Sequence, residues 1–199
     1  MMKSVLIAIR PKWCEKIASG KKTIEVRKSR PKIEMPFKCY IYRTTEKEEE
    51  ILEEYDSNFN LLRRKKTLKK FRGKVIGEFI CDKVYPIKNK GSSFVVANEE
   101  QSVTNEIAGQ SCLYYDDMVS YFGDKNGYGW HISDLKIYDK PRELSEFRKP
   151  CDWNYDCCTC KRAKYELTKA EAKVFYGCDS ELTRPPQSWM YIEDLGEVK

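Results

Sequence analysis

The sequence predicts an α+β fold, made mostly of strands forming a small β barrel with helices at its ends. Three observations carry this. About six segments have the composition and length of strands, and the helical segments among them are few and short. The 199 residues, 41% of them hydrophobic, suffice for one domain of about 150 residues plus inserted elements. No internal repeat and no low-complexity linker divides the chain, so it is read as one domain over 1–199.

The elements follow in order. "KSVLIAIR" (3–10) is apolar on both faces and reads as a buried strand. "PKWCEKIAS" starts a helix at Pro11, a favoured first position, with Trp13 and Ile17, and Cys14 and Ala18, four residues apart on one apolar stripe. Gly20 ends it. "KKTIEVRK" (21–28) and "FKCYIYRT" (37–44) are the next strands, with "SRPKIEMP" as the loop between them. Residues 46–72 are acidic in their first half and basic in their second, which marks a charged insertion, expected to be helical at least in part. "GKVIGEFICDKVYPI" (73–87) reads as one long strand with a bulge at Gly77. Residues 88–110 are polar and read as loop, 113–123 as a helix capped by Gly123, and 127–139 and 188–195 as the last strands. Between these two lies a Cys-containing C-terminal insertion, 147–184.

Composition excludes several classes. No apolar run approaches the ~20 residues of a membrane span. The start, "MMKSVLIAIRPKW", lacks the small-residue cleavage site of a signal peptide. Nine cysteines without a secretion signal imply a reducing, cytoplasmic setting, with thiols or metal ligands in place of disulfides. A net charge of +6 permits a polyanionic partner.

The most informative stretch is "ASGKKTIEVRK" (18–28). Strand alternation puts Thr23, Glu25 and Arg27 on one face and Ile24 and Val26 on the other, with Lys22 at the strand's start. On spacing alone, Glu25 and Arg27 would be a surface ion pair worth at most about 1 kcal/mol. Yet Gly20-x-Lys22-x-x-Glu25-x-Arg27, straight after a short helix, resembles the signature of the ASCH domain family, in the PUA-like superfamily of β barrels. The later stretches 73–87, 113–123 and "GYGWHISDLKIYDKPREL" also resemble that fold in order, and "RPPQSWMYIE" (184–193) resembles its ending. The resemblance covers roughly 3–147 and 188–195. It implies a PUA-like barrel and RNA binding, and it turns Lys22, Glu25 and Arg27 toward a ligand-binding or catalytic cleft.

These side chains suit that task. The Arg27 fork can hold a phosphate or a base edge. Lys22 can neutralise a phosphate, or act as a base if burial lowers its pKa. Glu25 can accept from an exocyclic amine or serve as general base. Related acetylcytidine amidohydrolases use a lysine, a threonine and a glutamate. Lys22 matches the lysine, but their threonine falls where this chain has Glu25, and Thr23 is displaced. Other ASCH proteins, some of them ribonucleases, are more similar at Glu25.

Gly20, Lys22, Thr23, Glu25, Arg27 and Trp130 are therefore the candidate ligand-binding residues, and Lys22, Glu25 and Arg27 the candidate catalytic ones. Tyr114, Tyr115, Tyr121 and Tyr128 join Trp130 as candidates for stacking on a base. The only histidine, His131, alternates with Trp130 and is expected to be structural. Arg63, Arg64, Lys65, Lys66, Lys69, Lys70 and Arg72 form a dense basic run that suits phosphates, or a solvated face balancing the acidic stretch before it. Cys157-x-x-Cys160 can bite one zinc, with Cys151, Cys158 and Cys178 as further ligands beside a short helix capped by Thr168 and Glu171. Cys14, Cys39, Cys81 and Cys112 read as small apolar fillers.

The expectation is thus an RNA- or modified-nucleobase-binding protein whose cleft requires no cofactor, with a structural zinc as a separate candidate. Its rivals are a metal-independent ribonuclease, a modified-nucleoside amidohydrolase, and a protein-interaction module using the C-terminal insertion.

Overall fold

The structure, a computed structural model, describes residues 3–45, 72–91, 93–150 and 181–195, together with the backbone of 52–55 and 61–65. Two sheets make the frame. The first holds β1 (Lys3–Ile9), β3 (Phe37–Arg43), β6 (Lys74–Cys81), β10 (Ser133–Arg142) and β11 (Trp189–Glu193), in the order β10-β6-β3-β1-β11. The second holds β2 (Ile24–Arg27), β7 (Val84–Asn89), β8 (Phe94–Val96) and β9 (Gly127–His131), in the order β2-β9-β7-β8. β1 and β3 run parallel, and the other pairs in both sheets are antiparallel. Three helices accompany them: α1 (Pro11–Ala18), α2 (Gln101–Ser111) and α3 (Tyr115–Phe122).

The predicted closed barrel is not formed among the described residues. What exists is a corner and a gap. At the corner, two segments read from sequence as single strands each cross from one sheet to the other. Residues 73–87 divide at Asp82 and Lys83 into β6 and β7, and 127–139 divide at Ile132 into β9 and β10. The two breaks are stitched together, His131 N–H donating to the Lys83 carbonyl at 2.9 Å. At the gap, β2 and β1 face each other without a ladder, because each is paired within its own sheet.

Packing follows this plan in layers. Between the sheets, Val5, Ile7 and Ile9 of β1 meet Phe79 of β6, Trp130 of β9 and Cys14 and Ile17 of α1. On the far side of the second sheet, Ile24 and Val26 pack with Ile87, Ile107, Met118 and Phe122, so α2 and α3 cover that face. On the outer face of the first sheet, Tyr40 and Ile192 hold Phe147 and Leu182, the two ends of the C-terminal insertion. Leu182 N–H donates to the Phe147 carbonyl at 3.0 Å, which closes the stem of that segment.

Two further expectations change. Residues 88–110 contain β8 and α2 where a loop was predicted, and of 46–72, expected to be helical at least in part, the described stretches 52–55 and 61–65 are antiparallel strands. β4 (Leu52–Tyr55) pairs with β5 (Leu61–Lys65), and the register sets Glu53 opposite Arg64 and Glu54 opposite Arg63.

The bulge predicted at Gly77 lies beside it. Ile41 pairs with Gly77 but Tyr42 with Val75, leaving Ile76 as the extra residue. Gly77 itself lies against β10, and a Cβ there would fall 2.4 Å from the Lys136 carbonyl oxygen. Gly77→Ala should therefore destabilise the protein by about 1–3 kcal/mol, as overpacking against backbone does. Urea unfolding measures this, and a midpoint unchanged from the parent would contradict the close approach of β6 to β10.

Candidate functional site

β2 is buried on both faces, and the two faces differ. Ile24 and Val26 point to the helix layer, whereas Glu25 and Arg27 point toward the apolar space between the sheets, 5% and 7% exposed. Lys22, just before the strand, is 2% exposed. The surface ion pair read from spacing is thus a buried triad. Removing one partner of such a group leaves an uncompensated buried charge and costs about 3–5 kcal/mol.

The triad is held from several elements. Glu25 Oε1 lies 2.9 Å from Arg27 Nη2, and Oε2 lies 3.4 Å from Lys22 Nζ. Lys22 Nζ donates to the Ser111 carbonyl at the end of α2, at 2.6 Å. Arg27 Nη2 donates to the Ala8 carbonyl of β1 at 2.7 Å, and Nη1 to Ser188 Oγ, just before β11, at 3.3 Å. The β1–β11 register ends at Ile7 and Trp189, and Arg27 reaches Ala8 just past that end. The arginine therefore bridges the gap that strand pairing leaves open.

Two polar atoms of this buried group have no hydrogen-bond partner, Glu25 Oε2 and Arg27 Nε. Glu25 Oε2 still faces the Lys22 ammonium at 3.4 Å, so it is held by charge, while Arg27 Nε is a buried N–H without a partner, a rare state for a buried donor. Burial pushes the Lys22 pKa below its ordinary 10.5, and the nearby Glu25 charge opposes that shift. A lysine so placed is closer to being a neutral amine than one in water.

A cleft of about 440 Å³ opens above the triad. β1, β2, α1, α3 and the segment before β11 all contribute to it. Its wall includes Arg10, Lys12 and Trp13 from the end of β1 and the start of α1, and Asp117, Ser120 and Tyr121 from α3. Four cations (Arg10, Lys12, Lys22, Arg27) stand against two carboxylates (Glu25, Asp117), so the lining carries a positive excess.

Other candidates fall elsewhere. Gly20 ends α1 at φ +72°, the left-handed conformation expected of a helix-terminating glycine, and it does not line the cleft. Thr23 is not in the lining either. Its backbone is used in structure, the N–H donating to Gln110 and the carbonyl accepting from Ile132. Trp130 pairs with Glu25 across β2 and β9 but is fully buried against Phe37 and Trp189, so it is core and not a stacking surface. His131 bonds Asp82 through Nδ1 at 2.6 Å, at the corner where the sheets exchange strands, and does not line the cleft. Of the tyrosines, Tyr121 reaches the cleft, and Tyr114 stands exposed at the start of α3. Trp13, assigned from sequence to the apolar stripe of α1, is a cleft residue. Its position beside Lys12, one residue past Pro11, is the only sequence signal it offers.

Cys14, Cys39 and Cys81 are buried fillers, and burial pushes their thiols up, Cys81 to about 12. Cys112 is partly exposed. The zinc candidates Cys151, Cys157, Cys158, Cys160 and Cys178 lie outside the described residues, as do Lys66, Lys69 and Lys70 of the basic run. Among the described residues no group of three or more His, Cys, Asp or Glu side chains could hold a metal ion.

The lowered Lys22 pKa carries a stability signature. Between the folded pKa and 10.5, the unfolded chain binds the lysine proton more than the folded one, so stability attributable to Lys22 rises with pH across that window. Urea midpoints of the parent should therefore climb relative to those of Lys22→Met as pH approaches 10.5 and then run parallel. Parallel curves throughout would mean that Lys22 titrates as it does in water.

No family model matches the sequence, and no curated protein does. Among solved structures, the chain is similar to ASCH from Zymomonas mobilis, with 15% identity and a TM-score of 0.49 over 96% of this chain and 87% of that one. Two single-residue variants of the same protein are similar at 15% and 14% identity, with TM-scores of 0.49 and 0.47, over 96% of this chain and 91% and 88% of theirs. The likeness runs along nearly the whole chain, while the placement of Lys22, Glu25 and Arg27 rests on the geometry given above.

Proposed function

We propose that the cleft binds RNA, or a modified nucleobase or nucleotide, with Lys22, Glu25 and Arg27 as its floor. The observation that carries this is the cleft of about 440 Å³ whose lining brings the Lys22–Glu25–Arg27 triad together with Arg10, Lys12, Trp13 and Tyr121. A carboxylate acceptor and a guanidinium donor in one lining suit a base edge, which offers donors and acceptors in the same plane. The cationic rim supplies attraction for phosphate. The basic run at 63–72 would add a sequence-independent share. No helix of the described residues is long and apolar enough to cross a membrane.

A second reading, a metal-independent ribonuclease, draws on Lys22. A buried lysine of lowered pKa can take the proton of a 2′-hydroxyl as its oxygen bonds the adjacent phosphorus and the P–O5′ bond breaks, leaving a 2′,3′-cyclic phosphate and a 5′-oxygen that is protonated from water. The amidohydrolase reading has less behind it, because Thr23 is not in the cleft.

Labelled single-stranded RNA separates these readings. Binding without cleavage favours a reader, and cleavage that persists in chelator favours the nuclease. Because the triad is buried, conservative variants with melting controls are the proper probes. Arg27→Lys keeps the charge but loses the fork and should weaken binding about tenfold or more. Glu25→Gln should alter base preference if Glu25 reads an amine, or stop turnover while sparing binding if it is a base. A folded Arg27→Lys, Glu25→Gln double variant that binds and turns over as the parent does would dismiss the assignment of this site.

A further inference from the structure

Three lysines crowd one indole. The ammonium groups of Lys12, Lys16 and Lys22 lie 4.8, 5.0 and 5.1 Å from the centroid of the Trp13 ring. Each is within the ~6 Å reach of a cation–π contact. The grouping is otherwise unfavourable, since Lys12 and Lys16 are like charges four apart on α1, which repel. Lys22 is buried and fixed by Ser111 and Glu25. Lys12 and Lys16 are half-buried, and no ion pair among the described residues fixes either of them on the ring. Trp13 packs on the inter-sheet core from one part of its surface and lines the cleft with another. Across the same cleft stands Tyr121, with Lys28 Nζ at 5.2 Å from its ring centroid.

We propose that Trp13 is the stacking surface for a base of single-stranded RNA, and that Lys12 and Lys16 guard it and leave it for the flanking phosphates when the base arrives. The inference rests on the reading of the cleft as a nucleobase site and names the form of its ligand. In the free protein both ammonium groups stand within cation–π reach of the indole, and Lys12 lines the cleft with it. A base stacked on an indole is worth more than an exposed cation–π contact. The displaced ammonium groups then neutralise phosphates and release counterions, so the exchange relieves the repulsion on α1. Double-stranded RNA cannot present a base in this way, which makes an unpaired strand the fitting ligand.

The test uses the full chain and a short fluorescein-labelled single-stranded RNA of mixed sequence, with anisotropy read at several salt concentrations. Trp13→Leu, which keeps an apolar side chain against the core, should weaken binding about 10- to 100-fold with an unchanged salt slope. Trp13→Phe should bind within about threefold of the parent, because a phenyl ring still stacks. It should also lose the quenching of indole emission that RNA produces in the parent. Lys12→Gln with Lys16→Gln should lower the slope of log affinity against log salt by about 1.4, two phosphates at ~0.7 each on a single strand. If a folded Trp13→Leu protein binds as the parent does while Arg27→Lys does not, the stacking proposal is overturned and the cleft reading stands. If both bind as the parent does, the cleft reading itself falls.

Discussion

Burying a guanidinium, a carboxylate and an ammonium group on one short strand and the residues just before it is the constraint around which the rest of this structure is arranged. Taking such ions out of water costs several kcal/mol each after relaxation. The cost is met only if each finds charge and hydrogen bonds from elsewhere in the chain. Glu25 takes Lys22 and Arg27, Arg27 takes Ala8 and Ser188 from the first sheet, and Lys22 takes Ser111 from α2. The triad thus ties the second sheet to the first and to the helix layer at the seam where no backbone ladder runs. A closed barrel would have filled this seam with strand pairing and left no cleft.

Much of this was legible in residues 18–28. Alternation of Ile24 and Val26 with Glu25 and Arg27 gave the two faces correctly, and Gly20 marked the end of α1. What alternation could not give was the environment of the polar face. A pattern of period two assigns sides, and burial depends on what lies across from each side. Here the facing surface is β1 and the turn before β11, the latter far away in sequence. Charged residues in a strand default to solvent, and only the tertiary arrangement reverses that default.

The two misread strands share one cause, that sequence periodicity does not register a change of partner. Through "GEFICDKVYPI" the strand composition continues without interruption, yet the chain leaves one sheet at Asp82 and enters the other at Val84. Ile132 does the same between β9 and β10. α2 was invisible for the opposite reason. "QSVTNEIAGQS" has little apolar content, and among its described side chains only Thr104, Ile107 and Ser111 are buried. Thr104 Oγ1 accepts from Val96 N–H, and the helix's last carbonyl serves Lys22, so polar contacts place it as much as packing does.

The distribution of charge within the cleft also bears on which end of a ligand goes in first. Glu25 lies at the floor between Lys22 and Arg27, whose charges it already partly neutralises. A phosphate driven to that depth would meet the carboxylate at close range in a poorly solvated space, where like charges repel strongly. Arg10 and Lys12, by contrast, line the wall near α1. Under the proposed reading, the neutral, planar part of the ligand therefore belongs at the floor and its phosphates at the rim. A simple anion has no such division and gains little from entering. On that reading the carboxylate, the one group in the triad that attracts no phosphate, would turn an anion-attracting depression into a site that distinguishes a nucleotide from its phosphate.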